Sequence, residues 1–219
     1  MSTYAVLPIK SFEDAKQRLA TILSEGPRRA LSEAMFSDVL TALRRASSVT
    51  QVVVVSSSRH AQRIAGGHGA SVIEDGAHGH SEAATLGVDY ALEAGADRVL
   101  LVPGDCPLID PAELDELLAH AAAPRSALIV PDRHGTGTNA LLLAPPDGLA
   151  PSFGPDSCAR HLELAQARGT AAEVVVVRSL ALDIDTPEDL DLLRETLAIT
   201  HGGAAHTRGM LSQLSRSQS

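Results

Sequence analysis

Two acidic motifs carry the chemistry this chain could do. Asp105 stands in Pro103-Gly104-Asp105-Cys106-Pro107, directly after a run of apolar residues, and Asp183 and Asp185 stand in Asp183-Ile184-Asp185-Thr186-Pro187, far along the chain. Carboxylate oxygens are hard ligands that suit Mg²⁺ or Mn²⁺, ions that keep several waters and bridge to substrate phosphates. In an extended segment side chains two apart share a face, so Asp183 and Asp185 can converge on one cation. The plain alternatives are local. Gly104 and Asp105 could form no more than a turn, and Asp185 could simply cap a helix opened by Pro187. Capping does not account for Asp183.

A second set of residues could hold an anion. Thr136, Thr138 and Asn139, together with Gly154, Asp156 and Ser157, offer hydroxyls, glycine amides and a helix start near Ser157. Such a corner suits phosphate or carboxylate, although capping by Ser157 and turn formation would account for the same residues taken alone. Lys10, Lys16 and Arg18 follow the first apolar run and could grip phosphates through their side chains, or form a solvated face. No glycine-rich cradle of the P-loop or dinucleotide kind accompanies them. The histidines lack metal-ligand spacing: His60, His68, His78 and His80 read as free loop or surface residues. No G-x-S-x-G elbow surrounds Ser81 or Ser157, which weakens a hydrolase reading.

Positioning these residues requires an alternation of strands and helices. Strands are expected at Tyr4–Ile9, Gln51–Val55, Ala70–Glu74, Val99–Val102, Ser126–Pro131 and Ala172–Val177, all short apolar or β-branched runs bounded by turn formers. Helices are expected from Gly26, where Leu31, Met35, Val39 and Leu43 recur at helical spacing, and over Ser58–Ala65, Glu82–Ala94, Asp110 to about Ala122, Asp156 or Ser157 to Arg168, and Pro187–Leu197. Lys10–Leu23 reads as a loop with room for one helical turn, and Leu182–Asp185 as a short extended segment. The apolar run Ala140–Ala144 follows the strand at Ser126–Pro131 too closely for a helical crossover, so one strand is free to run antiparallel. The result is one α/β domain over 1–199, with a mostly parallel sheet covered by helices on both faces. Residues 200–219 are rich in Ser, Gly and Gln and read as a flexible tail. Asp105 then lies just beyond a strand's carboxyl end, where open α/β sheets place their ligands.

Composition narrows the partners. The chain has 219 residues, 44% of them hydrophobic and only 2% aromatic, and a formal charge of −9. The length allows a sizeable core built from Val, Leu, Ile and Ala. The missing basic footprint and the scarcity of rings argue against nucleic acid. A small anionic substrate remains compatible if a cation and a few placed Lys or Arg reverse the local field. Two cysteines make neither a disulfide framework nor a zinc site. No apolar run approaches the ~20 residues of a membrane span, and Met1-Ser2-Thr3-Tyr4 lacks a signal pattern, so a cytoplasmic location is expected.

Taken together, PIKxxxxAKxRL, PGDCPL, GTGTNALLL, SFGPDSCxxHL and DIDTPEDL resemble the CofC/FbiD family over about residues 3–197. GDxP and DIDTP are shared with the wider MobA-like nucleotidyltransferases, whereas GTGTNAL with FGxxS is narrower and carries most of the resemblance. It implies a single Rossmann-like nucleotidyltransferase domain that joins GTP to a phosphorylated three-carbon acid and releases diphosphate, within biosynthesis of the deazaflavin coenzyme F-420. Phosphoenolpyruvate is the implied acceptor, with 2-phospho-L-lactate or 3-phosphoglycerate as alternatives. The resemblance puts the metal, Mg²⁺ or else Mn²⁺, on Asp105, Asp183 and Asp185, and the acceptor on Thr138, Gly154 and Ser157. It puts nucleotide contacts on Lys10, Lys16 and Arg18, with Ser81 in the loop flanking the guanine, and makes Lys16 and Asp105 the catalytic pair. It allows a homodimer and implies a separate deazaflavin transferase that consumes the product. Other readings are a MobA-like enzyme moving CMP or GMP to a sugar phosphate or a molybdopterin, a sugar-nucleotide glycosyltransferase, or a non-catalytic nucleotide-binding regulator.

Overall fold

Successive residues of the central strands face opposite ways, and both directions are apolar. In the first strand Ala5 and Leu7 enter one core and Val6 the other; in the second Val52 and Val54 oppose Val53 and Val55. Strands buried on both faces need helices on both faces. The computed structural model describes residues 1–13, 15–76, 79–120 and 124–217. Within them the chain runs β1 (Thr3–Pro8), α1 (Glu25–Arg45), β2 (Gln51–Val55), α2 (Arg59–Gly67), β3 (Ser71–Ile73), α3 (His80–Glu93), β4 (Arg98–Leu101), α4 (Pro111–His120), β5 (Ser126–Pro131), β6 (Thr138–Ala144), α5 (Ser157–Ala167), β7 (Ala171–Val174), α6 (Pro187–Ile199) and α7 (Ala205–Ser217). A 3-10 turn at Gln17–Thr21 supplies the single helical turn expected between β1 and α1. The expected end of α4 near Ala122 lies outside the described residues. No described helix is long and apolar enough to cross a membrane.

Among the described residues seven strands form one sheet in the order β3-β2-β1-β4-β6-β5-β7. β6 runs antiparallel to both β4 and β5, and the other neighbours pair in parallel. The reversed strand is the one whose connection is too short for a crossover. Its hairpin is closed by Asp132, whose carboxylate accepts from the backbone N–H groups of His134 and Thr136 at 3.1 and 3.0 Å. The chain leaves β1 toward β2 and β3 on one side, while β4 pairs with β1 on the other. The carboxyl ends of β1 and β4 therefore flank a topological switch point, the crevice where such sheets bind ligands.

The two faces are not covered alike. Phe36, Val39 and Leu40 of α1, with residues of α2 and α4, pack on one face, and Ala84, Val88 and Ala91 of α3 with Ala165 of α5 on the other. A third cluster joins distant segments: Leu19 and Leu23, Leu31 and Met35 of α1, Leu182, Ile184, Leu190, Leu193 and Leu197, and Leu211 and Leu214 of α7. The expected strand Ala172–Val177 is shorter, ending at Val174, because it is an exposed edge strand paired only with β5.

The expectation of a flexible tail over 200–219 is corrected. Residues 205–217 form α7, which packs on α1 and buries Leu211 and Leu214. Its amino end is capped from another helix: the buried Asp38 carboxylate accepts from the N–H groups of His206 and Thr207 at 3.0 and 2.8 Å. The polar composition of 200–219 hid two leucines one helical turn apart. Leu214→Ala is expected to lower the unfolding free energy by about 2 kcal/mol in urea titration, where a loose tail would give no change.

Candidate active site

The switch-point crevice is organised by one cation. Lys16 Nζ donates to Asp105 Oδ2 and, at 2.7 Å, to Asp185 Oδ1. Its side chain is 9% exposed, against 27% for Asp105 and 46% for Asp185. Burial works against the lysine's charge, but the Asp105 and Asp185 carboxylates more than offset it and hold the amine charged well above the ordinary lysine range. Lys16 itself adopts left-handed backbone angles, φ 56°, at the entry to the 3-10 turn, a conformation that costs a non-glycine residue about 1–2 kcal/mol. Gly104 lets the loop after β4 lie close to β1, since a Cβ there would run into Ile9 and Phe36. Asp185 is not the helix cap. Thr186 caps α6, with Asp189 completing a capping box.

Asp183 turns elsewhere. Asn139 Nδ2 donates to Asp183 Oδ1 at 3.2 Å and to the Leu180 carbonyl at 2.7 Å. Burial and then the nearby Asp105 carboxylate push the Asp183 carboxyl above its ordinary range. The backbone closes the arrangement, with Ile184 N–H donating to the Asp105 carbonyl at 3.2 Å. The three acids thus adjoin, yet among the described residues no three metal-ligating side chains converge into a ready cluster. Lys16 stands where charge neutralisation is needed between Asp105 and Asp185. The donor set still fits a hard cation: Asp105 Oδ1 is buried with no hydrogen-bond partner, and Asp183 sits beside it in repulsion.

Beside this centre lies a cavity of about 490 Å³, lined by Lys10, Phe12, Lys16, Asp75, His80 and Asp105 among others. Lys10 and Lys16 both reach it, as the sequence leads one to expect. Arg18 does not line it and is exposed. Ser81 is not among the lining residues, and its hydroxyl accepts from the Phe153 N–H at 3.0 Å. His80, read from sequence as a loop residue, opens α3 and enters the cavity, where burial depresses its basicity. His78 lies outside the described residues. Asp75, buried at the end of β3, is a lining residue the sequence reading missed.

The anion corner forms where β6 meets the start of α5. Thr138 Oγ1 lies 3.0 Å from His161 Nδ1, and the Ser152 N–H donates to His161 Nε2 at 3.0 Å. Gly154 has φ 114°, which an L side chain rarely adopts. Asp156 precedes α5 in left-handed geometry without capping it through its side chain. Ser157 opens the helix and is buried. The Ser157 and Cys158 N–H groups are already used, donating to the Gly154 and Thr136 carbonyls at 3.2 and 3.0 Å, so an anion here would rely on side chains and the remaining amides. Arg160 secures the loop by donating to Ser152, Phe153 and Pro155. His161 was legible in principle, because Cys158, His161 and Ala165 recur at helical spacing on a buried stripe.

One carboxylate ties the corner to the cation centre. Asp189 Oδ2 accepts from the N–H groups of Asp185 and Thr186 at 3.1 and 2.8 Å, and its Oδ1 meets Arg133 Nη2 at 2.6 Å. Burial opposes its ionisation, but the Thr186 and Asp185 hydrogen bonds and Arg133 hold it below the usual carboxylate range.

Comparison with known proteins matches residues 3–218 to the family model described as guanylyl transferase CofC like. The chain belongs to this family. The match extends through α7, past the point where the sequence motifs end. The chain is 57% identical over 218 residues to a phosphoenolpyruvate guanylyltransferase of Conexibacter woesei, covering 99% of this chain and 98% of the relative. It is 34% identical over 215 residues to a 2-phospho-L-lactate guanylyltransferase of Methanothermobacter thermautotrophicus, covering 98% and 92% of the two chains. A solved nucleotidyl transferase from the latter organism shares the fold, with a TM-score of 0.68 at 17% identity over 92% of this chain and 99% of that one.

His161 gives this CofC-like chain a pH signature. Burial, then the neighbouring Arg160 charge, lowers its pKa from about 6.5 to about 4. An unfolded chain therefore takes up a proton that the folded one refuses between these values, so stability is lost as pH falls from 6.5 toward 4. The slope of unfolding free energy against pH in this window is expected to be shallower in His161→Phe than in the parent.

Proposed function

We propose that the chain transfers GMP from GTP to phosphoenolpyruvate, releasing diphosphate and giving enolpyruvyl-diphospho-guanosine. The observation that carries this reading is the 57% identity, over nearly the whole of both chains, to a protein named for that activity. The site supports it. An acceptor phosphate oxygen attacks the α-phosphorus in line, and diphosphate leaves. That nucleophile is already anionic, so no general base is needed; alignment and charge neutralisation suffice. Lys10 and Lys16 bind the triphosphate, and Thr138, Gly154 and Ser157 hold the acceptor. Asp105 and Asp183, with Asp185, would hold Mg²⁺, which supplies neutralisation of the triphosphate when bound. The activated product passes to a separate transferase that moves its enolpyruvyl-phosphoryl group to a deazaflavin precursor, with GMP as the leaving group. Exposed Arg18 and hydrogen-bonded Ser81 have lesser parts, Ser81 acting through the Phe153 loop.

Base choice falls to Asp75. A carboxylate accepts from the N1–H and 2-amino groups of guanine, and adenine lacks both donors. Asp75→Asn is expected to narrow the ratio of kcat/KM for GTP over ATP by about tenfold or more, since a site built for hydrogen bonds discriminates strongly. An unchanged ratio would remove Asp75 from base reading.

The reaction is tested by diphosphate release with each NTP against phosphoenolpyruvate, 2-phospho-L-lactate and 3-phosphoglycerate. Release is expected with GTP and phosphoenolpyruvate, and to cease with EDTA. Asp105→Ala is expected to abolish turnover while the thermal unfolding curve stays cooperative; near-normal activity of that variant in Mg²⁺ would refute its role.

A further inference from the structure

The hydrogen bonds around His161 dictate more than its burial. A backbone N–H can only donate, so the Ser152 N–H at 3.0 Å makes Nε2 of His161 an acceptor. A neutral imidazole with Nε2 unprotonated must carry its proton on Nδ1. Nδ1 faces Thr138 Oγ1 at 3.0 Å and is therefore the donor of that pair. A hydroxyl that receives this bond keeps one proton to give, and among the described residues no protein acceptor takes it. The opposite tautomer would set Nε2–H against the Ser152 N–H and turn the Thr138 proton inward, presenting lone pairs to whatever lies outside.

We propose that His161 is a positioning residue that fixes the Thr138 hydroxyl as an outward donor to the anionic acceptor. The inference rests on the reading of Thr138 as an acceptor-binding residue. The ring's surroundings hold the device in place. Phe153 lies edge-on to His161 at 5.3 Å between ring centroids, and His80 lies edge-on to the other side of Phe153 at 5.2 Å. Arg160 donates to the Ser152 carbonyl and hydroxyl, at 3.3 and 2.9 Å by its Nε, which orients the very peptide segment that selects the tautomer. The ring is fully buried and its basicity is depressed, so the neutral form persists at physiological pH. An acceptor that carries a phosphate and a carboxylate has oxygens that only accept, so a hydroxyl locked as a donor favours it over a ligand presenting a donor at the same point.

Two measurements test this. In the intact chain labelled with ¹⁵N-histidine, NMR is expected to show His161 at neutral pH with Nδ1 protonated and Nε2 unprotonated, its signal assigned by comparison with His161→Phe. A protonated Nε2 would overturn the proposal without reference to activity. In kinetics, His161→Phe is expected to raise the KM for phosphoenolpyruvate by about tenfold, the loss of one charge-assisted hydrogen bond, and to change the KM for GTP much less. Thr138→Val is expected to raise the acceptor KM as much or more, and the double variant to be no worse than Thr138→Val alone. Additive losses, or equal changes in both KM values, would mean that His161 acts as packing only. A parent chain that releases no diphosphate with any of the three phospho-acids would sink the functional reading, and the acceptor role of the hydroxyl with it.

Discussion

A buried ammonium between two carboxylates is the constraint around which the rest is arranged. Lys16, Asp105 and Asp185 come from three segments: the turn after β1, the loop after β4 and the stretch before α6. Taking one partner from such a group leaves an uncompensated charge, a loss of about 3–5 kcal/mol when burial is complete and less at the partial exposure of Asp185. The trio therefore pins the carboxyl-terminal part of the chain to its beginning. The third hydrophobic cluster does the same with apolar surface, joining Leu19 and Leu31 to Ile184 and Leu190. Charge fixes the geometry at the crevice, and the leucines beneath it keep the elements in contact.

Secondary contacts radiate from that centre. The Leu180 carbonyl accepts from Asn139 Nδ2 at 2.7 Å and from the buried Cys106 thiol at 3.7 Å, so one peptide oxygen links β6, the loop after β4 and the segment leading to Asp183. Asp189 links the β5–β6 hairpin, through Arg133, to the backbone of Asp185. The β5–β6 hairpin, whose second strand begins at Thr138, is thus tied to the residues read as cation-binding through Asn139 and through Arg133. A shift of the hairpin would be felt at Asp185 by way of a single carboxylate.

Much of this was legible in the sequence. The apolar runs located the strands to within a residue or two, apart from the overlong end given to the edge strand β7, and the short connection before Ala140 marked the reversed strand. Asp105 and Asp185 were legible as candidates because one follows a buried strand and the other shares an extended segment with Asp183 before a helix, although each taken alone reads as a turn or a cap. Lys16 was legible as a charge but not as the bridge between them, since a left-handed residue at an otherwise unremarkable position leaves no compositional trace. Arg18 looked equivalent to Lys16, yet two residues along a 3-10 turn is enough to face solvent. α7 was lost because its buried leucines are diluted by Ser, Gln and Arg and because its cap comes from Asp38, 168 residues away from His206. His161 and Asp189 were missed for a related reason: their partners, Ser152, Thr138 and Arg133, are set by tertiary contact and not by spacing.

The chemistry asked of this unit explains why it holds charges and no base. Both imidazoles near the site are weakened as bases: buried His161 is depressed to about 4, and desolvation lowers half-buried His80 as well. For attack by a hydroxyl this would be a defect. For attack by a phosphate oxygen it is the appropriate state, because a protonated imidazole beside the acceptor would compete for the very lone pairs that must reach phosphorus. The burden shifts to neutralising a triphosphate inside a chain of net charge −9. Lys10 and Lys16, both at the cavity wall, are placed to carry that burden under the proposed function, and the carboxylates that hold Lys16 charged are the same groups suited to a divalent ion. Under the proposed function, a nucleotide's phosphates at Lys16 would weaken its hold on Asp105 and Asp185 and leave those oxygens open to a cation. The lysine and the acids are counter-ions to one another here, and under the proposed function they would serve the triphosphate and the metal in turn.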